Sequence, residues 1–307
     1  MENVVIIGHG PAGLTSAIYT ARAGLAPLVL SSSAELGQLD QTTDVENFPG
    51  FPEGILGPDI IVNMHKQAER FGAKFQTAHV EKITGEGPFV LHTASSQIET
   101  RTIILATGAK PRRLGIESES RLWGHGVTAC AVCDGFFYRN REVIVIGGGD
   151  SACEEATYLT KFASRVYLVH RRDQLRASKI MAERAMNHPK VEMVWNSEVA
   201  EILGNSEDGV VGVVLRDTTN GSTREMKIDG VFLSIGHIPN TEPFKDLVDR
   251  DSEGYIILEE GSTKTSRPGV FAAGDLHDKH YRQAITAAGF GCMAALDAER
   301  FLASQAG

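Results

Sequence analysis

The sequence has few cysteines, no long apolar run and fewer basic than acidic residues, and each shortage excludes a class of protein. Four cysteines in 307 residues are too few for the disulfide framework of a secreted protein. No apolar stretch approaches the roughly 18 to 20 residues of a membrane-spanning helix. Lys and Arg total 30 against 39 Asp and Glu, a formal net charge of −9, which argues against binding a phosphate backbone. We expect no membrane association and no nucleic-acid partner.

The N-terminal sequence also lacks the features of a secretory signal. It enters the apolar run VVIIG at residue 4, with no basic leader and no cleavage site. Hydrophobic residues make up 42% and charged residues 22%, which is ordinary for a soluble globular protein of this length. We expect a cytoplasmic protein with two domains or one large domain.

Glycine, by contrast, is abundant, and its 32 residues cluster in turns after apolar runs. Gly8, Gly10 and Gly13 have G-x-G-x-x-G spacing between a predicted strand and a predicted helix that ends at Gly24. In this pattern the first glycine permits a tight turn, the second lets the backbone approach a pyrophosphate, and the third lets the helix pack closely. The helix N-terminus offers free N–H groups to the phosphates. The spacing predicts a dinucleotide-binding unit at the start of the chain.

The second half of the chain repeats this plan. Gly147, Gly149 and Ala152 follow the strand REVIVIG in G-x-G-x-x-A form, and a helix and the strand RVYLV follow. TIILATGAKP and GVFLSIGHIP are a second pair of similar segments. One more strand, a Gly-Asp turn and a helix form the tail, which we expect to return to the first domain.

The repeats predict an α/β fold with two Rossmann-like dinucleotide-binding domains, the second inserted into a discontinuous first. We expect the first domain to comprise residues 1–113 and 241–307. The inserted domain, residues 114–240, would carry the pair Cys130 and Cys133.

The strand ends after the two glycine turns differ in charge. His170-Arg171-Arg172 follows the second turn, with Arg176 close behind, and no acidic residue lies where a ribose 2′-hydroxyl partner would be. Guanidinium groups bind phosphate with paired donors, so we interpret this half as selective for NADPH. The alternative is that these arginines are a solvated basic surface. After the first turn the strand ends in serines, and Glu35 is the nearest acidic candidate.

The Cys130-x-x-Cys133 pair has three interpretations: a redox dithiol, half of a zinc site, or coincidence. Zinc usually requires a second close pair of ligands, whereas Cys153 and Cys292 are isolated and we expect both to be inert core residues. A Cys-x-x-Cys beside a βαβ unit favours redox chemistry, and we expect no metal. Asp134 follows directly and is a candidate proton donor and acceptor, although it could instead cap a helix.

As a set, these motifs resemble the low-molecular-weight, NADPH-dependent thioredoxin reductases. The segments that carry the resemblance are TTDVENFPGFPEG, CAVCDGFFYRN, GGGDSACEEA, HRRDQLRASK and PGVFAAGDLHDKHYRQAITAAGFG. They occur in the family's order from residue 3 to about residue 303. The resemblance extends to the reductase module of chloroplast and cyanobacterial enzymes that carry a fused thioredoxin domain. The sequence ends at Gly307 without such a domain, so we expect an unfused chain.

The resemblance implies FAD in the first domain and NADPH in the second. The FAD residues it implies are Gly8, Gly10, Pro11, Ala12, Gly13, Gln38, Asn47, Thr107, Gly108, Gly274, Asp275, Arg282, Gln283 and Ala284. The NADPH residues it implies are Gly147, Gly149, Asp150, Ser151, Ala152, Arg171, Arg172 and Arg176. It also implies a homodimer and thioredoxin as the partner.

The chemistry that the resemblance implies assigns separate roles to the two cysteines. Cys133 would exchange electrons with the flavin, Cys130 would attack the partner disulfide, and Asp134 would be the acid and base. Both the dithiol and NADPH must reach one flavin, so we expect the inserted domain to rotate about the two crossings. A stiffening substitution such as Gly115→Pro would then slow turnover. The aromatic run at 136–138 is either a docking surface or packed core.

Several positions depart from the family pattern without removing a reacting group. They are His9 in the first glycine turn, Leu36, His125, Val132 between the cysteines, and Phe290 in the terminal helix.

We therefore predict a thioredoxin-disulfide reductase that moves electrons from NADPH through FAD and Cys130–Cys133 to thioredoxin. Three rivals remain: a ferredoxin-fed flavoenzyme of this fold, a ferredoxin–NADP reductase of this fold, and a non-catalytic flavoprotein adaptor. The arginines argue against the first rival, and the cysteine pair with Asp134 argues against the other two.

Overall fold

The chain folds into two compact units, the first comprising Met1–Lys110 with Ile238–Gly307 and the second comprising Pro111–His237. The structure is a computed structural model and describes residues 1–32 and 37–305. The chain crosses between the units twice, a few residues before the expected boundaries at 113 and 240. The two crossing segments, β9 (Ala109–Pro111) and β18 (His237–Pro239), pair with each other as a two-stranded sheet.

The first unit is built on a seven-stranded sheet in the order β5-β2-β1-β8-β7-β6, with β19 also paired to β8. Strands β5, β2, β1, β8 and β19 run parallel, whereas β6, β7 and β8 form an antiparallel meander. The strands of this unit are β1 (Glu2–Ile7), β2 (Leu28–Ser31), β3 (Asp44–Val45), β4 (Ile55–Leu56), β5 (Lys74–Thr77), β6 (Val80–Thr84), β7 (Phe89–Thr93), β8 (Gln97–Leu105) and β19 (Val270–Ala272). Its helices are α1 (Pro11–Arg22), α2 (Gly57–Arg70) and α7 (Ala284–Ser304), with 3-10 turns at Leu39–Gln41 and Glu242–Phe244.

The second unit is a smaller version of the same plan. A parallel sheet in the order β10-β17-β11-β12-β13 is accompanied by the antiparallel sheet β14-β15-β16. Its strands are β10 (Val127–Thr128), β11 (Glu142–Gly147), β12 (Arg165–Val169), β13 (Val191–Val194), β14 (Ser197–Asn205), β15 (Gly209–Asp217), β16 (Thr223–Met226) and β17 (Gly230–Ser234). Its helices are α3 (Glu117–Leu122), α4 (Ala131–Asp134), α5 (Asp150–Leu159) and α6 (Lys179–Met186), with a 3-10 turn at Gly135–Tyr138.

Strands β1 and β11, which lead into the two glycine turns, carry continuous apolar runs because both of their faces are buried. In β1, Val4 and Ile6 enter one core cluster while Val5 and Ile7 enter another. Strand β11 divides its side chains between two clusters in the same alternation. Continuous apolar runs of this kind are typical of parallel strands covered on both sides.

The tail completes the first unit, as the repeats predict. Strand β19 pairs in parallel with β8, and helix α7 packs along α1. The α-carbons of Ala12 and Gly291 come so close that a Cβ on Gly291 would lie 2.2 Å from the Ala12 carbonyl oxygen. The predicted fold class is confirmed.

Candidate functional site

The glycine turn of the first unit leaves room for a ligand at one glycine and none at the other two. A Cβ on Gly8 would lie 2.2 Å from the Ala106 carbonyl oxygen, and a Cβ on Gly13 would lie 2.0 Å from the Gly8 carbonyl oxygen. No described atom lies within 4 Å of the Cβ position of Gly10, the N-cap of α1. No described side chain caps α1, which begins at Pro11, so its N–H groups face this open space. The turn fits a pyrophosphate.

Long-range hydrogen bonds gather the other predicted FAD residues at the carboxyl edge of the same sheet. The Gln38 side-chain amide donates to the Ala109 carbonyl oxygen at 2.9 Å and to the Asp275 carboxyl at 3.2 Å. The Asn47 amide donates to the Gln283 side-chain oxygen at 3.3 Å. The segments after β2, β8 and β19 are thereby brought together.

The turns after β8 and β19 are fixed by backbone contacts. Thr107 donates its hydroxyl to the Asn240 carbonyl oxygen at 2.7 Å, and the Asn240 N–H donates to the Gly108 carbonyl oxygen at 2.9 Å. Gly274, with φ +89°, lies so close to α1 that a Cβ on it would be 3.0 Å from the Ala12 Cβ. Ala284 begins α7 directly after its N-cap Gln283. Asn240 was not among the predicted residues, because only its hydrogen bonds with Thr107 and Gly108 identify it as part of this site.

Two titratable side chains in the turn after β19 have pKa values that are strongly displaced, in opposite directions. Burial, reinforced by the nearby Asp278 carboxylate, raises the pKa of Asp275 to about 7. Burial lowers the pKa of His277 to about 4, and its ring packs edge-on to Phe290 at 4.3 Å. Both groups therefore favour their neutral forms near pH 6. The buried Asp278 carboxylate accepts the N–H groups that follow it, including that of Arg282, whose φ is +48°.

His9, one of the departures from the family pattern, lies against Asp40. Its Nε2 lies 3.4 Å from the Asp40 carboxyl, which also accepts the Gly37 N–H at 2.9 Å. The hydrogen bond from His9 is the largest influence on Asp40 and lowers its pKa. This contact joins the glycine turn to the segment that carries Gln38. Leu36 and Glu35 lie outside the described residues.

The glycine turn of the second unit has the same arrangement of closed and open positions. A Cβ on Gly147 would lie 2.3 Å from the Ser234 carbonyl oxygen, whereas the Cβ position of Gly149, the N-cap of α5, has no described atom within 4 Å. Ala152 is fully buried beside Gly147. Ser151 is exposed in the first turn of α5, and the Asp150 carboxyl accepts the Ser178 N–H at 2.7 Å. The turn fits a second pyrophosphate.

The three predicted phosphate-binding arginines lie beside this second turn. The Arg176 N–H donates to the Gly148 carbonyl oxygen at 2.7 Å, which anchors the arginine segment directly on the turn. Arg171, Arg172 and Arg176 all have exposed side chains. The His170 ring is buried with its Nδ1 2.9 Å from the Gly147 carbonyl oxygen, so it donates to that oxygen and holds the strand end against the turn. The arrangement suits a dinucleotide with an additional phosphate on its ribose.

Cys130 and Cys133 form a disulfide in the second unit. Cys130 is the N-cap of α4, and its Sγ accepts the Cys133 N–H at 3.1 Å. Cys130 is half-buried and Cys133 is exposed. The Asp134 N–H donates to the Cys130 carbonyl oxygen at 3.2 Å. The short helix thus holds both sulfur atoms and the carboxyl of Asp134 in one turn of chain.

The side chain of Asp134 is a half-buried carboxyl rather than a helix cap. It makes no capping bond to the 3-10 turn that follows it. Burial raises its pKa, and a hydrogen bond from Thr128 partly opposes that rise. Tyr138 lies one turn further on, and burial, together with the Asp134 charge, raises the pKa of Tyr138 to about 12. A half-buried carboxyl with a raised pKa beside a disulfide is a candidate for proton transfer.

The aromatic run after the cysteines divides between surface and core. Phe136 is 49% and Phe137 is 42% exposed, and Val132 between the cysteines is 54% exposed. Tyr138 instead packs edge-on against Phe232, with ring centroids 5.2 Å apart. Tyr138 is therefore packed core, whereas Phe136 and Phe137 lie on the surface.

The two remaining cysteines differ in their surroundings. Cys153 is fully buried in the core under α5, and burial raises the pKa of its thiol. Cys292 on α7 is only half-buried and hydrogen-bonds with Tyr19, so it is not the core residue expected from the sequence. Among residues 1–32 and 37–305, no group of three or more His, Cys, Asp and Glu side chains is placed to hold a metal ion. No helix in that part of the chain has the length and apolar content needed to span a membrane.

Gly115, near the first crossing, is unsuited to the stiffening substitution considered above. Its φ is +81°, and its N–H donates to the buried carboxyl of Glu119 at 3.0 Å. Proline requires a φ near −65° and has no N–H, so Gly115→Pro would disrupt the local fold instead of stiffening it.

Comparison with known proteins identifies the family of this chain. The profile of the family described as pyridine nucleotide-disulphide oxidoreductase matches residues 2–291. A thioredoxin reductase of Streptomyces clavuligerus is 52% identical over 100% of this chain and 95% of its own length. The bifunctional thioredoxin reductase/thioredoxin of Mycobacterium leprae is 50% identical over 100% of this chain and 67% of its own length. The crystal structure of thioredoxin reductase from Streptococcus pyogenes superposes with a TM-score of 0.95 at 43% identity, over 99% of both chains. The chain therefore belongs to the thioredoxin reductase family of pyridine nucleotide-disulphide oxidoreductases, whose cofactors are FAD and NADPH.

Proposed function

We propose that this protein is a thioredoxin-disulfide reductase that passes electrons from NADPH through FAD to the Cys130–Cys133 disulfide and then to oxidised thioredoxin. The observation that carries the proposal is the disulfide with Asp134 beside it, in the same unit as a glycine turn flanked by exposed arginines. A dehydrogenase without the dithiol, or a disulfide protein without the arginines, would need only one half of this arrangement.

The residues present fit one cofactor in each unit. FAD would lie on the first glycine turn, with Gln38, Asn47 and the turns after β8 and β19 around it. NADPH would lie on the second turn, with Arg171, Arg172 and Arg176 at its ribose phosphate. When bound, the flavin supplies two-electron chemistry between a hydride donor and a disulfide.

The chain's own residues would carry out the thiol chemistry. Two electrons and two protons convert the Cys130–Cys133 disulfide into two thiols. Cys130, as a thiolate, attacks one sulfur of the partner disulfide and expels the other as a thiolate, which forms a mixed disulfide. Cys133 then attacks Cys130, which releases the reduced partner and restores the internal disulfide. Asp134 would hold and release the protons that these steps require.

The exposed apolar side chains beside the disulfide support docking of a protein partner. Val132, Phe136 and Phe137 surround the cysteines on the surface of the second unit. Exposed apolar groups of this size are typical of contact surfaces. We infer that thioredoxin docks on them.

A rotation of the second unit between half-reactions follows from the placement of the two sites on it. The dithiol and the second glycine turn both belong to Pro111–His237, and both must serve one flavin. If rotation limits turnover, the rate at saturating thioredoxin falls as solvent viscosity rises, while a variant slowed in chemistry, such as Asp134→Asn, is insensitive. Equal insensitivity in the parent protein would count against rotation as the limiting step.

We further propose a cytoplasmic homodimer whose reductase module is close to that of the thioredoxin-fused type. Support for the last point is the 50% identity to the bifunctional Mycobacterium leprae protein. Support for a dimer comes from the apolar side chains Ile285, Met293 and Leu296, which are exposed on α7. Sedimentation equilibrium tests the dimer, which a mass of 33.2 kDa in solution would exclude.

The experiment that tests the function is an anaerobic titration of flavin absorbance with NADPH, then with NADH, followed by oxidised thioredoxin. We expect stoichiometric bleaching at low NADPH, far weaker bleaching with NADH, and reoxidation by thioredoxin. If dithionite bleached the flavin and NADPH did not, a ferredoxin-type donor would be favoured instead. If reduced flavin were not reoxidised by thioredoxin, the dithiol would have another substrate.

Cys133→Ser is the matched variant for this experiment. It should retain flavin and bleaching by NADPH but lose reoxidation by thioredoxin. Retained thioredoxin reduction in Cys133→Ser would overturn the mechanism and would favour a role for the flavoprotein without the dithiol.

A further inference from the structure

Three successive backbone N–H groups bind the arginine segment to the second glycine turn. The N–H groups of Arg176 and Ala177 both donate to the Gly148 carbonyl oxygen, at 2.7 and 3.0 Å. The N–H of Ser178 donates to the side-chain oxygen Oδ1 of Asp150 at 2.7 Å. A carbonyl oxygen has two lone pairs, so it can accept both of the first two bonds. The end of the segment therefore has two acceptors, and Asp150 supplies the one that belongs to a side chain.

Packing around Arg176 determines which side of the segment faces solvent. Its neighbours Leu175 and Ala177 are partly buried and pack against the core under α5. Arg176 lies between them and is exposed. Gly148 has no room for a side chain, because a Cβ there would lie 2.3 Å from Nδ1 of His170. The backbone at Arg176 is thus held between the core and the turn, with its side chain on the solvent side.

The other two arginines have different anchors. The Arg171 carbonyl oxygen accepts the Thr218 hydroxyl at 3.0 Å, and the Arg172 carbonyl oxygen accepts the Asn196 N–H at 3.2 Å. Asn196 directly precedes β14, and Thr218 directly follows β15. A change at Asp150 would therefore act on the third arginine and leave these two anchors in place.

The charge of Asp150 makes direct binding of a nucleotide an unsuitable role for it. Asp150 is exposed and is the first residue of α5, directly after the open position at Gly149. A carboxylate repels a phosphate group at short range. The hydrogen bond to Ser178 gives this side chain a role that needs no contact with the ligand.

We propose that Asp150 is a positioning residue that selects NADPH over NADH by holding the backbone of Arg176 at the second glycine turn. The inference rests on the proposed binding of the ribose phosphate by Arg176. It changes the role that the resemblance implies for Asp150, from a contact with the dinucleotide to a support for a residue that makes one. NADH lacks the ribose phosphate, so this support should matter for NADPH alone.

The direction of the change in affinity distinguishes positioning from a simple effect of charge. Removing a carboxylate near the site makes the local potential more positive. That change alone should strengthen binding of both nucleotides, and of NADPH the more, because NADPH carries the additional phosphate. Loss of position has the opposite consequence, a weaker affinity for NADPH and an unchanged affinity for NADH.

The test measures the dissociation constants of NADP⁺ and NAD⁺ for the holoenzyme by calorimetry. We expect Asp150→Ala to raise the dissociation constant of NADP⁺ about three- to tenfold, the factor that one hydrogen bond commonly contributes, and to change that of NAD⁺ by less than about twofold. Asp150→Asn keeps an acceptor oxygen and should stay within about twofold of the parent for both nucleotides. Asp173→Ala, which removes an exposed acidic side chain from the arginine segment itself, is the control for charge and should not weaken NADP⁺ binding.

Double-mutant cycles identify which arginine depends on Asp150. In an Arg176→Ala background, Asp150→Ala should have no further effect on NADP⁺ binding, whereas in an Arg171→Ala background its effect should persist in full. An equal weakening of NADP⁺ and NAD⁺ binding, tighter binding of NADP⁺, or the same loss in both backgrounds would overturn the inference.

Failure of the proposed function would give a different result. A parent protein that binds NAD⁺ as tightly as NADP⁺, or an Arg176→Ala protein with unchanged affinity for NADP⁺, would show that Arg176 does not bind the ribose phosphate, and the inference would fall with it. Unchanged selectivity in Asp150→Ala would overturn the inference alone. Flavin content and thermal unfolding report whether each variant folds, and Asp150→Gly, which removes the same acceptor, replaces Asp150→Ala if the latter does not.

Discussion

The two glycine turns share one backbone plan and differ in what surrounds them. Around the first, distant segments are tied together by hydrogen bonds from Gln38, Asn47 and Thr107. Around the second, exposed arginines lie on a segment that hydrogen-bonds to the turn through the Arg176 N–H and through the Asp150 carboxyl. The first turn is therefore enclosed by its own chain, and the second is open.

This difference matches the two kinds of ligand that the proposal requires. A cofactor that stays with the protein benefits from many contacts that slow its release, whereas a substrate must leave in every cycle. The same local motif can serve either purpose because the glycines determine only the fit to a pyrophosphate. Residues far away in the sequence determine how long the ligand stays.

The largest expected effect is that of Gly13→Ala. The added Cβ would lie 2.0 Å from a backbone oxygen of the same turn, which cannot move aside. We expect the free energy of unfolding to fall by about 2–3 kcal/mol and bound flavin to be lost. Urea unfolding and the flavin-to-protein ratio measure the two effects.

Two matched variants are the controls for this test. Gly10→Ala places a Cβ where no described atom lies within 4 Å, so the apoprotein should unfold normally and only flavin binding should weaken. Ala152→Gly, at the equivalent of Gly13 in the second turn, should lower the free energy of unfolding by about 1 kcal/mol. A Gly13→Ala protein that keeps its flavin and is no less stable than Ala152→Gly would contradict the close packing seen at the first turn.

The next effect concerns the open turn. Replacing both Arg171 and Arg172 by alanine should raise the KM for NADPH by at least about 100-fold, because each lost charged hydrogen bond corresponds to roughly 1.5–3 kcal/mol. The KM for NADH and the flavin content should not change. Arg165→Ala, which removes an exposed arginine paired with Glu192 in the same unit, is the control. An equal loss of affinity for both nucleotides would show that the arginines do not bind the ribose phosphate.

The smallest expected effect is on the pH dependence of apoprotein stability, which two buried side chains in the turn after β19 influence. The pKa of Asp275 is about 7 in the folded chain, above the ordinary value near 3.8, so folding favours its protonated form and stability falls as pH rises from about 4 to 7. The pKa of His277, lowered to about 4, acts oppositely, and stability falls as pH drops from about 6.5 to 4. Asp275→Asn should therefore stabilise the apoprotein at pH 8, because it removes the cost of ionising a buried carboxyl.

In Asp275→Asn, the loss of stability at low pH that His277 causes should be measurable on its own. Thermal unfolding of the apoprotein between pH 4 and pH 8 measures both changes. A pH profile identical to that of the parent protein would mean that Asp275 is ionised in the folded chain at neutral pH.

Much of this arrangement could be predicted from local sequence. The glycine spacing, the strands before it and the helices after it are determined by contacts within about thirty residues, and both turns were predicted on that basis. The return of the tail was predictable because β19 repeats the apolar strand and glycine pattern. The arginine cluster was predictable from its position after β12.

Other features depend on pairings that no local pattern encodes. The antiparallel sheets β6-β7-β8 and β14-β15-β16 were not predicted, since their strands mix buried and exposed residues. The displaced pKa of Asp275 arises from burial among distant segments. The partial exposure of Cys292 likewise reflects how α7 packs on α1.

The discontinuity of the first unit has a consequence for its synthesis on the ribosome. Strand β19 and helix α7 are synthesised last, although β8 pairs with β19 and α1 packs against α7 in the folded unit. The second unit is continuous and can fold as soon as it emerges. The apolar side of α1 must therefore wait for roughly 15 to 55 seconds of translation before its partner helix is complete. During that interval the nascent chain exposes a surface that chaperones recognise, and truncation anywhere within α7 would leave that surface exposed permanently.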